Sequence, residues 1–324
     1  MVADSTLVIA HRGASGYRPE HTLESYALAV EMGADVIEPD LVSTADGVLV
    51  ARHENEISET TDVAERAEFA DRRTTKTIDG RDVTGWFTED FSLAELKTLR
   101  AKERLPALRP DSSAYDGRFE IPTFDEILAL VDSLRQRGRT VGLYPETKHP
   151  SYFRQLGLPL EEPLVAALDA AGYSAADDPV WLQSFEVDNL RRLDGMTDLR
   201  LVQLAMPGDG PFDHSDLSYE AMMTPDGLRE VATYADAVGV AKTFVLNPET
   251  AAPTTLCADA HAAGLDVHVW TVRAENAFLL PPFRSDGGDA APGDLDAEVR
   301  ALVAAGADGL FSDHPDLVLR ALGR

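Results

Sequence analysis

Cysteine is nearly absent from this sequence, since Cys257 is the only one among 324 residues. A single thiol excludes an internal disulfide, so a small scaffold stabilised by disulfides is ruled out. Cys257 lies in an apolar segment of helical character, which predicts a packed thiol rather than a nucleophile. Stability must therefore come from the core, and a hydrophobic fraction of 44% supplies enough material for a large one.

Positive charge is also scarce, because 29 Lys and Arg residues stand against 56 Asp and Glu residues. The net charge of -27 would repel nucleic acid and anionic membrane surfaces, so neither is expected as a partner. The same acidity would repel an anionic small molecule. A site for such a molecule would have to supply its own local positive charge.

Long apolar runs and a dinucleotide fingerprint are missing as well. No stretch is long and apolar enough for a transmembrane helix, so no stable membrane insertion is expected. Met1-Val2-Ala3-Asp4 lacks the regions of a signal peptide. The sequence as written therefore predicts a cytoplasmic protein. If a signal peptide has already been removed and the sequence starts at the mature N-terminus, the protein would be secreted or periplasmic. No G-x-G-x-x-G follows the first apolar run, which argues against a Rossmann site.

What the sequence does contain is a regular alternation of short apolar runs and amphipathic segments of helical length. Ser92-x-x-Glu95 and Thr123-x-x-Glu126 have the form of capping boxes at helix starts. The predicted strands are Leu7–Ala10, Val36–Leu41, Thr140–Tyr144, Val180–Phe185, Arg200–Ala205, Val238–Val245, Asp266–Val272 and Gly309–Ser312. This alternation predicts an α/β fold, a (β/α)8 TIM barrel with its site at the carboxyl ends of the strands. We expect one catalytic domain over 1–324.

The spacing departs from this regularity after the second strand. Val48–Arg52 follows an Asp-Gly turn, which predicts that strand two turns back as a hairpin and returns His53 to the barrel mouth. Residues 55–122 are too long for an ordinary connection, and we expect an inserted subdomain that caps the mouth. Shorter excursions at 206–224 and 274–294 are predicted to be rim loops.

Three acidic residues fall at the ends of neighbouring predicted strands. Glu38 and Asp40 are two apart on strand two, so their carboxylates project from the same face, and Glu146 ends strand three. An all-carboxylate set favours calcium or magnesium over zinc. Three solvated acids would be the plainer interpretation, but it does not account for the nearby Arg12 and Lys148, which suit an anionic substrate.

Two histidines are predicted at the same mouth, His11 after the first strand and His53 after the hairpin. A phosphodiester needs a base to activate the attacking oxygen and an acid to protonate the departing alkoxide. The two histidines could fill both places, and the sequence does not assign which is which. Other histidines lack a comparable setting: His21, expected in the turn before the first helix, and His149, His214, His261 and His314.

Inward-pointing side chains on later strands are predicted to line a substrate pocket. Gln183 and Phe185 alternate on strand four, and Trp270 lies on strand seven. An aromatic ring at the barrel mouth could pack against a glycerol backbone. Simple filling of the barrel interior is the alternative for both aromatic residues.

Several motifs along the chain coincide with one family signature. They are His11-Arg12-Gly13, Pro19-Glu20-His21-Thr22, Glu38-x-Asp40, Asp46-Gly47, His53, Tyr144-Pro145-Glu146-x-Lys148, Leu182-Gln183-Ser184-Phe185, Val202-Gln203-Leu204 and Gly309-Leu310-Phe311-Ser312-Asp313-His314-Pro315. Together they resemble the glycerophosphodiester phosphodiesterase family over nearly the whole chain. The Y-P-E-x-K form and the long insertion look like the larger, calcium-using bacterial branch.

The resemblance implies metal-dependent cleavage of small glycerophosphodiesters, such as glycerophosphocholine, to glycerol 3-phosphate and an alcohol. Attack by the neighbouring glycerol hydroxyl, through a cyclic phosphate that water then opens, is one route in this family. The implied roles are acid–base catalysis by His11 and His53, metal binding by Glu38, Asp40 and Glu146, and phosphate binding by Arg12 and Lys148. Calcium is the implied ion, with magnesium as the alternative.

Other functions remain open on the sequence alone. Glu54 follows His53 where the family usually has aspartate. Hydrolysis of polymeric glycerophosphate, such as teichoic acid, would use the same site. Hydrolysis of lipid phosphodiesters is disfavoured by the net charge and the polar 206–224 loop. A non-catalytic phosphodiester-binding protein would have no need of two histidines.

Overall fold

The computed structural model describes residues 6–324, so the signal-peptide prediction on residues 1–4 lies outside the described part. The strands are β1 (Leu7–His11), β2 (Val36–Glu38), β3 (Asp40–Ser43), β4 (Leu49–Ala51), β5 (Thr74–Ile78), β6 (Arg81–Gly85), β7 (Gly142–Leu143), β8 (Glu146–Thr147), β9 (Trp181–Ser184), β10 (Arg200–Ala205), β11 (Ala237–Ala241), β12 (Asp266–Val272) and β13 (Gly309–Ser312).

Parallel pairing runs round the sheet in sequence order and closes on itself. β1 pairs with β2, β3 with β8 and β8 with β9. The ladder continues from β9 through β10, β11 and β12 to β13. It returns to its start because β13 pairs with β1, with Ala10 opposite Ser312. The predicted (β/α)8 barrel is confirmed.

Proline interrupts two of the barrel strands just where they reach the carboxyl end. Pro39 separates β2 from β3, and Pro145 lies between β7 and β8. Proline has no backbone N–H to donate to a ladder, so each strand breaks and resumes one step later. The predicted strand Thr140–Tyr144 is therefore too long: only Gly142–Leu143 pairs before the break, and pairing resumes at Glu146.

A short hairpin extends the second barrel position, as predicted. β4 runs antiparallel to β3, with Leu41 opposite Ala51 and Ser43 opposite Leu49. The turn contains Gly47 at a φ of 77°, a left-handed conformation that glycine adopts without a steric cost. The hairpin returns the chain towards the barrel mouth at His53.

Most of the α-helices follow the barrel strands around the outside, and two short ones lie within segment 55–122. The helices are α1 (Leu23–Met32), α2 (Leu93–Leu96), α3 (Pro110–Ser113), α4 (Phe124–Gln136), α5 (Pro150–Gln155), α6 (Glu161–Ala170), α7 (Val187–Asp194), α8 (Tyr219–Met222), α9 (Pro225–Val231), α10 (Lys242–Val245), α11 (Leu256–Ala263), α12 (Leu295–Ala304) and α13 (Pro315–Leu322). Both predicted capping boxes, at the starts of α2 and α4, are confirmed. None of these helices has the length and apolar character needed to traverse a bilayer.

The sixth barrel strand is shorter than predicted. The apolar run Val238–Val245 was expected to be one strand, but β11 ends at Ala241 and the rest forms the single helical turn α10. Lys242, the first residue of this turn, forms a buried ion pair in which its Nζ lies 2.9 Å from Glu298 Oε2, and it donates to the carbonyl of Phe278. These contacts with residues distant in sequence leave no local pattern that could have marked the end of the strand.

Segment 55–122 forms a second, two-stranded sheet beside the mouth. β5 and β6 pair antiparallel, with Thr74 opposite Gly85 and Ile78 opposite Arg81. Asp79 and Gly80 form the turn, both with positive φ, which is the geometry that Asp-Gly favours in two-residue hairpins. The rest of the segment consists of short helical turns, including α2 and α3.

The interior of the barrel is packed below the mouth. An aromatic and aliphatic cluster fills it, formed by Ile9, Val36, Tyr144, Trp181, Val202, Ala237 and Phe311. Tyr144 also hydrogen-bonds through its hydroxyl to His268 Nδ1 at 2.6 Å. Cys257 is buried in the outer core, which confirms the prediction of a packed thiol. The polar residues at the carboxyl end of the barrel therefore lie directly above a closely packed core.

Candidate active site at the carboxyl end of the barrel

Three carboxylates converge where β2, β3 and β8 meet. Glu38, Asp40 and Glu146 are buried, and each offers an oxygen within 4.8 Å of the others. Strand register brings them together, since Asp40 lies opposite Glu146 and Glu38 lies opposite His11. The structure thus groups the three residues that the sequence predicted as metal ligands.

Charge balance at these carboxylates fits a bound cation. Burial, reinforced by Asp40, raises the pKa of Glu38 well above its usual value, and burial raises the pKa of Glu146 to about 8. Burial opposes ionisation of Asp40 too, but Lys148 and His21 outweigh it and hold its pKa well below the usual range. Asp40 Oδ1 is buried without a hydrogen-bond partner in the described part of the chain. A hard divalent cation would satisfy such an oxygen set.

Glu38 is held in place by two donors. The backbone N–H of Arg12 donates to its Oε2 at 2.8 Å, and Gln183 Nε2 donates to its Oε1 at 2.9 Å. Gln183 lines the cavity, as predicted for a pocket residue, but its amide is directed at a carboxylate. Hydrogen bonds of this kind fix the orientation of a metal-binding carboxylate.

Arg12 and Lys148 supply positive charge next to the carboxylates. Arg12 Nε lies 3.5 Å from Asp40 Oδ2, and Lys148 Nζ lies 2.8 Å from Glu146 Oε1. Both side chains are buried and line the same cavity. Arg12 has a φ of 59°, which is unusual for a residue other than glycine and often marks a functional site.

His11 and His53 both line this cavity, and each is paired with a carboxylate through Nδ1. His11 Nδ1 lies 2.6 Å from Asp313 Oδ1, and His53 Nδ1 lies 2.5 Å from Glu54 Oε1. Burial and Arg12 lower the pKa of His11 to about 4 and that of His53 to about 3. Both rings are therefore neutral near pH 7, with Nε2 left for proton transfer. His53 Nε2 is 3.3 Å from Lys148 Nζ.

His21 lies closer to the centre than the sequence suggested. It was expected in the turn before α1 without a further role, yet its ring is fully buried and Nε2 lies 2.8 Å from Asp40 Oδ2. Its Nδ1 is 2.7 Å from the hydroxyl of Tyr26. His21 therefore positions a carboxylate of the candidate metal site, and the motif Pro19-Glu20-His21-Thr22 was the only signal of it.

Asp313 is a second residue that sequence reasoning left without a role. Beyond His11, it accepts hydrogen bonds on Oδ2 from Arg109 at 2.6 Å and Arg273 at 2.7 Å. Burial opposes its ionisation, but Arg273 and Arg109 outweigh it, so the pKa of Asp313 lies well below its usual value. A carboxylate kept ionised at this position can orient the His11 ring.

Arg104 links the residues around Arg12 to the residues around His53. It pairs with Glu20 and with Glu54, both at 2.7 Å, and Glu20 in turn lies 3.1 Å from Arg12. Glu20 belongs to the motif Pro19-Glu20-His21-Thr22, and through this contact its carboxylate holds Arg12 in place. The role of Arg104 had no signal in the sequence, because it lies inside segment 55–122.

The cavity enclosed by these residues has a volume of about 350 Å³. Phe185 and Trp270, both predicted to line a pocket, form part of its wall, with ring centroids 6.0 Å apart. Trp270 is fixed by a hydrogen bond from its indole N–H to the carbonyl of Gly239 at 2.9 Å. A small organic ligand would therefore meet charged groups on one side and aromatic faces on the other.

A second acidic group lies near the start of α7, formed by Asp188, Asp213 and His214. Asp213 accepts hydrogen bonds from the backbone N–H groups of Val187 and Asp188 at 3.2 and 2.6 Å. His214 Nε2 lies 3.0 Å from Asp188 Oδ1. Helix capping accounts for this cluster, and we assign no metal to it.

Comparison with protein families gives a match over most of the chain. The model of the glycerophosphoryl diester phosphodiesterase family matches residues 11–317, a range that includes every predicted site residue. The chain belongs to this family. The resemblance inferred from the motifs is confirmed, and with it the enzyme class, a glycerophosphodiester phosphodiesterase.

Relatives of this family are similar along nearly all of the sequence. A glycerophosphodiester phosphodiesterase of Haemophilus influenzae is 33% identical over 96% of this chain and 88% of its own length. A plant relative, glycerophosphodiester phosphodiesterase GDPD6 of Arabidopsis thaliana, is 36% identical over 86% of this chain and 77% of its own.

Solved structures of phosphodiesterases share the fold. A putative glycerophosphoryl diester phosphodiesterase from Silicibacter pomeroyi superposes with a TM-score of 0.68 at 23% identity, over 98% of this chain and 92% of its own. The Oleispira antarctica phosphodiesterase, solved in complex with the product sn-glycerol-3-phosphate, gives a TM-score of 0.64 at 21% identity, over 99% and 98% of the two chains. At these identities the likeness supports the barrel and not the residue roles.

Proposed function

We propose that this phosphodiesterase hydrolyses small glycerophosphodiesters with the help of a divalent cation and releases glycerol 3-phosphate and an alcohol. One observation carries the proposal: two histidines, two buried carboxylates and two cationic side chains line a single cavity, and Asp40 lies beside the two carboxylates. Binding alone would need neither histidine, whereas diester cleavage needs a proton acceptor and a proton donor. The substrates named for the relatives support the same class.

Glu38, Asp40 and Glu146 would hold the cation, calcium or magnesium. When bound, it would neutralise charge on the phosphoryl group of the substrate. These carboxylates would otherwise repel an anionic diester. The unpartnered Asp40 Oδ1 and the raised pKa of Glu38 support an occupant of positive charge. We therefore expect turnover to require the metal.

Arg12 and Lys148 would bind the phosphoryl oxygens. Both are held at the cavity wall by carboxylates, Arg12 by Glu20 and Lys148 by Glu146. Such pairing fixes each cation in advance, so little conformational entropy is lost when the substrate binds. Arginine can offer two parallel N–H donors to a phosphate, which lysine cannot.

His11 and His53 would exchange the protons of the reaction. One neutral ring accepts the proton of the attacking oxygen, and the opposite ring, protonated in the substrate complex, donates a proton to the departing alkoxide. The phosphorus–oxygen bond to the alcohol breaks as the new bond forms. Asp313 and Glu54 orient the two rings through Nδ1 and stabilise positive charge that develops there.

Segment 55–122 would act as a cap within one catalytic domain. It contributes Arg104, which pairs with Glu20 and Glu54, and Arg109, which pairs with Asp313. Its hairpin tip also reaches the rim, since Asp79 Oδ2 lies 2.5 Å from His149 Nδ1. A cap fixed by such contacts would limit the entry of water and of bulky substrates.

Identification of the products tests this proposal directly. Glycerophosphocholine would be incubated with the protein and calcium, and the products followed by phosphorus NMR and by a dehydrogenase assay for glycerol 3-phosphate. We expect glycerol 3-phosphate and choline in equal amounts. Phosphocholine and glycerol, or no turnover by folded protein with either calcium or magnesium, would contradict the proposal.

A further inference from the structure

A second groove opens beside the catalytic cavity. It has a volume of about 320 Å³ and shares Glu146, Lys148 and Phe185 with that cavity. Its outer walls come from the hairpin tip of segment 55–122 and from the 206–224 loop. None of the residues proposed above to bind the metal, bind the phosphoryl group or transfer protons lies on these outer walls. Because the groove adjoins the phosphoryl site, the alcohol half of a bound diester could extend into it.

The groove presents apolar and aromatic surface to this alcohol. Phe185, Tyr219, Phe212 and Met206 line it. Phe212 and Met206 are 43% and 39% exposed, two of the three large hydrophobic side chains that are exposed in the described part of the chain. Lys148 Nζ lies 5.6 Å from the centroid of the Phe185 ring, so a cation already rests over one aromatic face here.

Carboxylates outnumber cations along the same walls. Besides Glu146, the acidic lining residues are Glu54, Glu56, Asp79, Glu186 and Asp209, and the basic ones are Arg81, Lys148 and His149. An anionic group in the groove would meet this excess of negative charge. A second phosphate, as in polymeric glycerophosphate, would therefore be repelled.

Two of the carboxylates are short of partners. Asp79 Oδ1 is buried and has no hydrogen-bond partner among the described residues. The Glu186 carboxylate accepts hydrogen bonds from Ser151, but no Lys or Arg in the described ranges pairs with it. Burial, Asp213 and Asp79 raise the pKa of Glu186 to about 8. A positively charged occupant would offset the charge of Asp79 and favour the ionised form of Glu186.

We propose that this groove binds the alcohol half of the diester when that half carries an ammonium group, and so selects cationic head groups over neutral and anionic ones. The inference rests on the proposed function and names its substrate class more narrowly. Aromatic faces attract an ammonium group through their quadrupole, and carboxylates attract it by charge. An alcohol with a second phosphate gains neither contact and meets repulsion.

Three substrates with the same glycerophosphate half test the preference. The alcohol half carries a cation in glycerophosphocholine, is neutral in glycerophosphoglycerol and carries a second phosphate in glycerophosphoinositol 4-phosphate. We expect kcat/KM, measured as glycerol 3-phosphate release at low ionic strength, to fall in that order. The first and last should differ at least about tenfold, a difference of about 1.4 kcal/mol. Equal values for the three substrates would overturn the inference.

Matched variants locate the preference in the groove. Phe212→Ala and the double variant Asp79→Asn with Glu186→Gln should each lower kcat/KM for glycerophosphocholine at least about fivefold. The same variants should change kcat/KM for glycerophosphoglycerol less than about twofold. Asp216→Asn removes an exposed charge from the same loop without lining the groove, and it should leave both values unchanged. A parallel loss for both substrates would contradict the assignment.

Choline binding separates failure of this inference from failure of the proposed function. Saturation-transfer NMR would detect choline on the wild-type protein and on Phe212→Ala, without any need for turnover. Binding that weakens in the variant supports the groove, even if no diester is hydrolysed and the proposed function fails. No choline binding, together with hydrolysis of all three diesters at equal rates, overturns the groove and leaves the proposed function in place.

Discussion

At the scale of single residues, the site pairs each histidine with its own carboxylate. Asp313 contacts His11 and Glu54 contacts His53, so each of the two rings that line the cavity is held by a different carboxylate. Burial lowers both pKa values far below 6.5, which keeps the rings neutral near pH 7. Because both rings begin neutral, one can act as the proton acceptor and the other as the proton donor only after bound substrate and metal have made their protonation states differ.

Removal of either ring tests the acid–base assignment. His11→Ala and His53→Ala should each lower kcat at least about a hundredfold, because general acid or base catalysis contributes that much. Measurement is by glycerol 3-phosphate release, with circular dichroism to verify the fold. His261→Ala serves as the control, since His261 lies on the outer helix α11 and pairs with Asp308. Near-normal turnover in both active-site variants would refute the assignment.

The sequence predicted those site residues that lie at strand ends. Glu38 and Asp40 on one strand and Glu146 on the next had to meet if the barrel formed. His21 was missed because its ring reaches Asp40 through a turn in which Arg12 and His21 both take positive φ. Backbone conformations of that kind leave no periodic pattern in a sequence.

At the scale of secondary-structure elements, the barrel strands were predictable and their interruptions were only partly so. Apolar runs fixed where strands lie, whereas Pro39 and Pro145 decided where pairing breaks. The turn after β11 was not predicted, and the contact that its Lys242 makes with Glu298 on a distant helix leaves no local pattern in the sequence. Arg109 was missed for the same reason, since 204 positions separate it from Asp313.

Arg109 links segment 55–122 to the barrel, and its loss should be costly. Arg109→Ala would leave Asp313 and Glu275 buried with fewer cations, so the free energy of unfolding should fall by about 3 kcal/mol. Urea denaturation measures this change. Arg320→Ala, which breaks an exposed pair with Asp296, should cost less than about 1 kcal/mol. Equal losses in the two variants would show that Arg109 does not anchor the segment.

At the scale of the whole molecule, the net charge of -27 sets the conditions under which the site must work. An anionic diester is repelled at long range, so Arg12, Lys148 and a bound cation must supply the local attraction. The same negative field would favour the approach of a divalent cation and of a cationic head group. Overall acidity thus fits the proposed metal and the proposed substrate together.

Buried neutral histidines should make the protein sensitive to mild acid. His268, paired with Tyr144 inside the barrel, has its pKa lowered by burial to about 4, and that of His11 falls equally. Between pH 6.5 and about 4 these rings bind protons in the unfolded chain but not in the folded one, so their contribution to stability falls as pH falls. The raised pKa values of Glu146 and Glu186 act in the opposite direction, so the contribution of His268 is measured as the difference in stability between the wild type and His268→Gln. We expect this difference to fall by at least about 1 kcal/mol from pH 6.5 to 5.

Urea denaturation across this range measures the effect. His268→Gln removes one buried ring without touching the active site, so stability should fall less, or rise more, on acidification in this variant than in the wild type. The same change of stability from pH 6.5 to 5 in both proteins would contradict the burial of a neutral His268 ring.

The central claim is that one metal-dependent centre built on Glu38, Asp40 and Glu146 cleaves the diester. The measurement that tests it most directly is glycerol 3-phosphate release from glycerophosphocholine after EDTA treatment, followed by titration with calcium or magnesium. We expect release to stop with EDTA and to return with the added ion. In Glu146→Gln, recovery should require at least about tenfold more of that ion. Full activity in EDTA, or identical titrations for the wild type and Glu146→Gln, would contradict the account.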